Sequence, residues 1–237
     1  MTSLERARRL VDTHLARAFP EVAAALLSGS VARGRATATS DVDLVVLLPD
    51  GGGSRRETVE WDGVTVDLFA YDPPGLDRWL AADTERRRPV LCSLILDGIL
   101  VAGVPDVAAD AKARARGVLA AGPRPLTDAE RLRMRYGATD LLLDVESSTD
   151  RAETLLLAAA LVQTITDLTL SAAGRWTGAG KWLVRELRAY DRGRADALAD
   201  AHDALARHDT KSPLLHAVDD LLALRGGRYL IGRADQG

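Results

Sequence analysis

The stretch SGSVARGRATATSDVDLVVLL, residues 28–48, decides how the first half of this chain is read. Its second part, DVDLVVLL, is apolar at nearly every position once Asp43 is passed, and a run apolar on both faces predicts a strand near the centre of a sheet. Two aspartates, Asp41 and Asp43, stand at its head. Asp is depleted in strands, and a buried carboxylate without a partner is costly. Two residues apart in a strand, the two side chains point to the same face. Just upstream, EVAAALLSGS predicts another strand that ends at Gly29-Ser30 and passes into a short helical turn at VARG. Such a turn presents backbone N–H groups and a hydroxyl to an anion, and Gly29 lets the backbone approach closely. Arg33 is placed to add a charge-assisted contact to a phosphate.

Downstream, RRETVEWDGVTVDLFAY, residues 55–71, has the alternation of a β-hairpin, with Asp62-Gly63 supplying the positive φ angles of a type I′ turn. Alternation puts Thr65, Asp67 and Phe69 on one face. If this strand neighbours the first, Asp67 comes within reach of Asp41 and Asp43, because adjacent strands lie roughly 4.8 Å apart. Three carboxylates so crowded repel one another unless a cation sits among them. The cation suited to hard oxygen ligands is Mg²⁺, completed by water and substrate phosphates. Two such ions can clamp the attacking and leaving groups of an in-line displacement at phosphorus.

The remainder of the 237 residues sorts into two textures. Short β-rich runs alternate with helical patterns up to about residue 120. Beyond the Gly- and Pro-containing join AAGPRPLT, residues 120–127, Ala, Leu, Arg and Asp dominate and strand signals vanish. The fold class expected is α+β: a catalytic domain at residues 1–120 with a mixed sheet and flanking helices, then a helical bundle of about four or five helices at residues 126–237. Helix starts are marked by Thr2-x-x-Glu5, Thr127-x-x-Glu130 and Asp150-x-x-Glu153, with Ser212-Pro213 suiting N-cap and N1. The segment LLLAAALVQTIT is apolar nearly all round, as for a helix at the centre of a bundle.

A formal charge of −3 argues against a broad nucleic-acid-binding surface. Cys92, the single cysteine, lies in an apolar run and reads as a small buried hydrophobe. No apolar signal-peptide core is present, and the apolar segments are interrupted by polar residues. The expectation is a soluble cytoplasmic protein. The four histidines are scattered without metal-ligand spacing.

The run GSVARGRATATSDVDLVVLL, followed by VDLF, resembles the nucleotidyltransferase superfamily that includes DNA polymerase beta. That pattern is a strand, Gly-Ser, about ten residues, Asp-x-Asp, and a third acidic residue on a later strand; here it falls on Gly29, Ser30, Asp41, Asp43 and Asp67. The resemblance implies that Asp41 and Asp43 hold Mg²⁺, that Ser30 meets the triphosphate of ATP or another nucleoside triphosphate, and that Asp67 completes the metal site or helps deprotonate the acceptor. The two-part layout is similar to the aminoglycoside nucleotidyltransferases, which implies AMP transfer to a hydroxyl of a small-molecule, aminoglycoside-like acceptor and a role in antibiotic resistance. In those enzymes a helical-domain carboxylate can serve as base and a basic residue there can touch the triphosphate. Asp140 and Asp144, at i,i+4 on one helix face, and Lys181, at a glycine-rich helix start, are the candidates here. The cleft could be completed within one chain or across a homodimer, without a membrane or nucleic acid. The rival readings are an antitoxin-like enzyme that adenylylates a protein or RNA, and a non-catalytic nucleotide-binding regulator.

Overall fold

The computed structural model describes residues 2–37 and 39–230. It divides into two compact units at Gly122–Pro123. In the first unit, α1 (Ser3–Ala18) precedes β1 (Ala24–Ser28), a one-turn α2 (Gly29–Ala32), β2 (Val42–Leu47), β3 (Ser54–Trp61) and β4 (Val64–Tyr71). Then come α3 (Pro73–Arg86), α4 (Val90–Asp97), β5 (Ile99–Gly103) and α5 (Pro105–Ala121). The strand order is β3-β4-β2-β1-β5. β2 is central, parallel to β4 and antiparallel to β1.

The two faces of β2 explain its unbroken apolar run. Val42, Leu44 and Val46 pack with Leu10, Val11 and Leu15 of α1. Val45 and Leu47 pack on the opposite face with Leu76 and Leu80 of α3 and Leu91 and Ile95 of α4. A strand covered on both sides cannot alternate apolar with polar, since either pattern break would bury a polar group. The β3–β4 hairpin turns at Asp62 and Gly63, with φ of 48° and 73°. These are the two left-handed positions that a type I′ turn requires.

Three sequence boundaries move. The helical turn expected at VARG starts earlier, at Gly29, because Arg33 already donates its N–H back to the Gly29 carbonyl. β2 begins at Val42, so Asp41 is the residue just before the strand rather than its first member. Ser212 is the first residue of its helix and not the N-cap, which is Lys211. Thr2 and Thr127 do form reciprocal capping boxes with Glu5 and Glu130.

The second unit consists, among its described residues, of helices α6 (Asp128–Ser147), α7 (Arg151–Ala172), α8 (Lys181–Tyr190), α9 (Arg192–His208) and α10 (Ser212–Ala223). Among the described residues α7 alone is long and apolar enough to cross a membrane. Here its Leu161, Ile165 and Leu168 are fully buried in the bundle core with Leu142, Leu205 and Val218. The fold is α+β, with a mixed five-stranded sheet followed by helices.

Cys92 is fully buried on α4, and its N–H donates to the Asp83 carboxylate at 3.0 Å. Burial first, and the adjacent Asp83 second, push the thiol up to about 12. The thiolate is the reactive form. Iodoacetamide at pH 8 is therefore expected to label Cys92 on the order of a thousandfold more slowly in the native chain than in urea; equal rates would show the native thiol to be as accessible and as reactive as an unfolded one.

Candidate active site

The sheet register brings the acidic residues together. Asp43 of β2 is directly opposite Asp67 of β4, and Asp41 precedes Asp43 by two positions, on the same side of the strand. Carboxylate oxygens of Asp41, Asp43 and Asp67 all lie within 4.8 Å of one another, and no other such acidic or histidine group occurs among the described residues. Oxygens gathered this closely could be shared by one divalent ion, which takes hard oxygen ligands of this kind. Asp67 is oriented by its neighbour across the hairpin: the Thr58 hydroxyl donates to it at 2.5 Å.

Gly29 and Ser30 flank this cluster. Ser28, the last residue of β1, is buried and donates its hydroxyl to the Leu94 carbonyl at 2.7 Å, which anchors the strand end on α4. Gly29 then takes φ +66°, and a Cβ built there would lie 1.7 Å from Oδ2 of Asp43. The carboxylate thus fills the space that any other residue's side chain would need. The Ser30 hydroxyl oxygen is buried with no hydrogen-bond partner. An orphaned hydroxyl at that depth has lost its water without replacement, and an anionic oxygen from a substrate would satisfy it. Carboxylate cluster, glycine cradle and orphaned hydroxyl together suit a divalent ion with a phosphate chain.

Arg33 is held at 2.8 Å by Asp97, at the end of α4, so it flanks the turn already engaged with a carboxylate. A cavity of about 710 Å³ opens beside Asp41, lined by Ser3 and Arg6 of α1, by Thr37, Thr39 and Ser40 of the loop before β2, and by Thr65 of β4. Arg6 carries no signal in the sequence, since it is one of many arginines on an amphipathic helix.

In the helical unit, Asp140 and Asp144 are both exposed, one turn apart on α6. Lys181 is exposed at the first position of α8, after Gly180 at φ +53°. Trp176 and Trp182 are half-buried, and the Arg185 guanidinium lies 5.0 Å from the centre of the Trp182 ring. One further carboxylate escaped the sequence reading. Glu186 is half-buried on α8, and burial raises its carboxyl above the ordinary range while Arg175 pulls it the other way. Its only signal in the sequence is a helical position next to the buried Leu187.

Residues 9–73 match the family model of the nucleotidyltransferase domain. The span contains Gly29, Ser30, Asp41, Asp43 and Asp67, and it supports the nucleotidyltransferase superfamily for the N-terminal part of the chain. A search of curated proteins finds no match. Among solved structures the chain is similar to a nucleotidyltransferase-like protein from Exiguobacterium sibiricum, at 17% identity and a TM-score of 0.44, over 92% of this chain and 75% of that one.

Proposed function

We propose that the chain transfers a nucleoside monophosphate, AMP from ATP, to an acceptor hydroxyl with release of pyrophosphate. The observation that carries this reading is the convergence of Asp41, Asp43 and Asp67 beside an orphaned serine hydroxyl and a glycine that has room for no side chain. Asp41 and Asp43 would hold Mg²⁺, with Asp67 completing the set. When bound, Mg²⁺ offsets the charge on the α-phosphoryl group and on the departing pyrophosphate. Ser30 donates its hydroxyl to a phosphate oxygen, and Gly29 keeps the backbone close enough for its neighbours' N–H groups to do the same. The acceptor oxygen forms a bond to the α-phosphorus as the bond from that phosphorus to the bridging oxygen breaks. The electron pair leaves with pyrophosphate, and the hydroxyl proton passes to Asp67, which Thr58 holds in orientation. Positioning of the two reactants supplies much of the rate.

The two-part layout nominates an aminoglycoside-like small molecule as acceptor, with Asp140 and Asp144 as acceptor contacts and Lys181 as a phosphate contact from the helical unit. The test is pyrophosphate release with Mg²⁺ and each nucleoside triphosphate, across a panel of hydroxyl acceptors that includes aminoglycosides. Acceptor-dependent release with ATP is the expected result. Nucleotide binding without release under any acceptor would favour a regulator. In the same assay, Asp140→Asn and Asp144→Asn should lose transfer but keep nucleotide binding, whereas Lys181→Ala should weaken nucleotide binding.

A further inference from the structure

Beside the β3–β4 hairpin, Arg56 of β3 and Arg86 of α3 form a pair that neither the core nor the carboxylate cluster explains. On β3, Trp61 is buried with the α1 side of the sheet, so alternation turns Arg56 and Thr58 to the other face, the one that carries Asp67. Thr58 is directly opposite Asp67, and Arg56 is opposite Phe69. That makes Arg56 a diagonal neighbour of Asp67, about 7–8 Å away across the strands.

Arg56 is held stiffly. Its Nε donates to the Tyr71 hydroxyl at 2.5 Å, and its guanidinium carbon lies 4.0 Å from the centre of the Trp79 ring. Arg86, from the last turn of α3, lies over the same ring at 5.2 Å. Both arginines are exposed, and among the described residues neither has a carboxylate within salt-bridge distance. The nearby Asp83 is buried, 3% exposed, and attracts Arg56 electrostatically without an ion pair, its carboxylate accepting the Cys92 N–H. Two like charges gathered on one tryptophan repel each other, and a guanidinium fixed on a ring keeps its outer N–H edge ready for a bidentate oxyanion.

The sheet order says what that anion would belong to. Gly29-Ser30 follow β1, Asp43 is on β2, Asp67 on β4, and Arg56 beyond it on β3. In-line displacement places nucleophile and leaving group on opposite sides of phosphorus. With the departing phosphates at Gly29-Ser30, the acceptor approaches over β4 and β3. Resting on the nucleotidyl-transfer reading, we infer that Arg56 and Arg86 on Trp79 form a phosphate-recognition site on the acceptor side of Asp67. The acceptor is then a hydroxyl compound that itself carries phosphate. This phosphate-bearing acceptor replaces the aminoglycoside-like one that the two-part layout nominates, because a polycation would meet two guanidinium groups there.

The test uses the full chain and inorganic pyrophosphate in EDTA, where binding through Mg²⁺ is abolished, followed by calorimetry. Saturable binding is expected, weakened about ten- to hundredfold in Arg56→Gln and in Arg86→Gln. Arg56→Lys, which keeps the charge but not the planar fork, should recover only part of it. Asp41→Asn/Asp43→Asn should retain it. Glycerol 3-phosphate and a short oligoribonucleotide then compete as the two sources of phosphate. Displacement by either supports the assignment and names the source, and displacement by neither removes it. Absence of binding to the wild type, or equal affinity in an Arg56→Gln/Arg86→Gln double variant, overturns the site. The two readings fail separately. Pyrophosphate binding through both arginines with no release from Mg-ATP under any acceptor keeps the phosphate site and loses the transfer reaction. Release with an unchanged acceptor KM in the double variant keeps the reaction and loses the site.

Discussion

Pyrophosphate release from Mg-ATP is expected to fall by about a thousandfold or more in Asp41→Asn/Asp43→Asn, with the fold intact. The bound ion contributes several kcal/mol of transition-state stabilisation, and each 1.36 kcal/mol is a factor of ten in rate. Both side chains lie at one end of the sheet, Asp41 exposed and Asp43 half-buried, so isosteric amides leave the packing of Val42, Leu44 and Val45 untouched. Without divalent ions the variant should be at least as stable as the wild type, because replacing two of three crowded carboxylates removes their mutual repulsion. With Mg²⁺ the order reverses. The wild type gains stability by mass action on its folded state, and the variant gains none. Thermal melts with and without Mg²⁺, beside the turnover assay, check both halves. A variant that keeps turnover, or a wild type whose melting point ignores Mg²⁺, would take the carboxylates out of the chemistry.

Gly29→Ala should be nearly as damaging by a different route. At φ +66° an alanine is strained, and a non-glycine residue held in such a region costs about 1–3 kcal/mol. The added methyl would also stand 1.7 Å from Oδ2 of Asp43, so the carboxylate must rotate away or the β1–α2 turn must shift. Either movement pulls Asp43 out of register with Asp67. A melting point lowered by several degrees and turnover reduced at least a hundredfold are expected, with a weaker response to Mg²⁺ than the wild type shows. Gly34→Ala is the control. It also has a positive φ, +64°, but nothing lies within 4 Å of its Cβ position. It should share the strain and not the loss of activity; equal damage in both would trace the effect to backbone strain alone.

These two substitutions also show how far the sequence carries. That Asp41 and Asp43 share a face follows from a period of two, a local property that any strand enforces. Asp67 was conditional: its place depended on β4 lying beside β2, and the pattern of a hairpin does not say which strand it docks against. The parallel register Asp43 to Asp67 supplied that. Gly29 was legible as a close-approach glycine, but its reason was not. The space is filled by a side chain fourteen positions later, on another strand. Arg33 was expected to face phosphate, yet it sits in a pair with Asp97, a partner 64 residues away that no local pattern reveals.

The arginine pair is the clearest case of long-range assembly. Arg56, Trp79 and Arg86 are separated by 23 and 7 positions and belong to a strand and a helix. In sequence they are an arginine among several, a helix tryptophan and a helix-terminal cation, each with an ordinary explanation. Only the packing of α3 over the β3–β4 hairpin puts both guanidinium groups on one ring. The half-buried Glu186 has the same origin, since burial on a helix depends on what packs against it.

By itself, then, the sequence determined the elements and their chemistry: the two-sided apolar strand, the type I′ hairpin, the capped helices, and an Asp-x-Asp beside Gly-Ser. Those are properties of neighbours along the chain, written in periodicity, turn residues and caps. The tertiary structure alone decided which distant groups meet. It set Asp67 against Asp43, fitted the Asp43 carboxylate into the hollow of Gly29, tied Arg33 to Asp97, and gathered Arg56 and Arg86 on Trp79. Contacts of that kind are set by how strands order and helices pack, and neither is a local property of the chain.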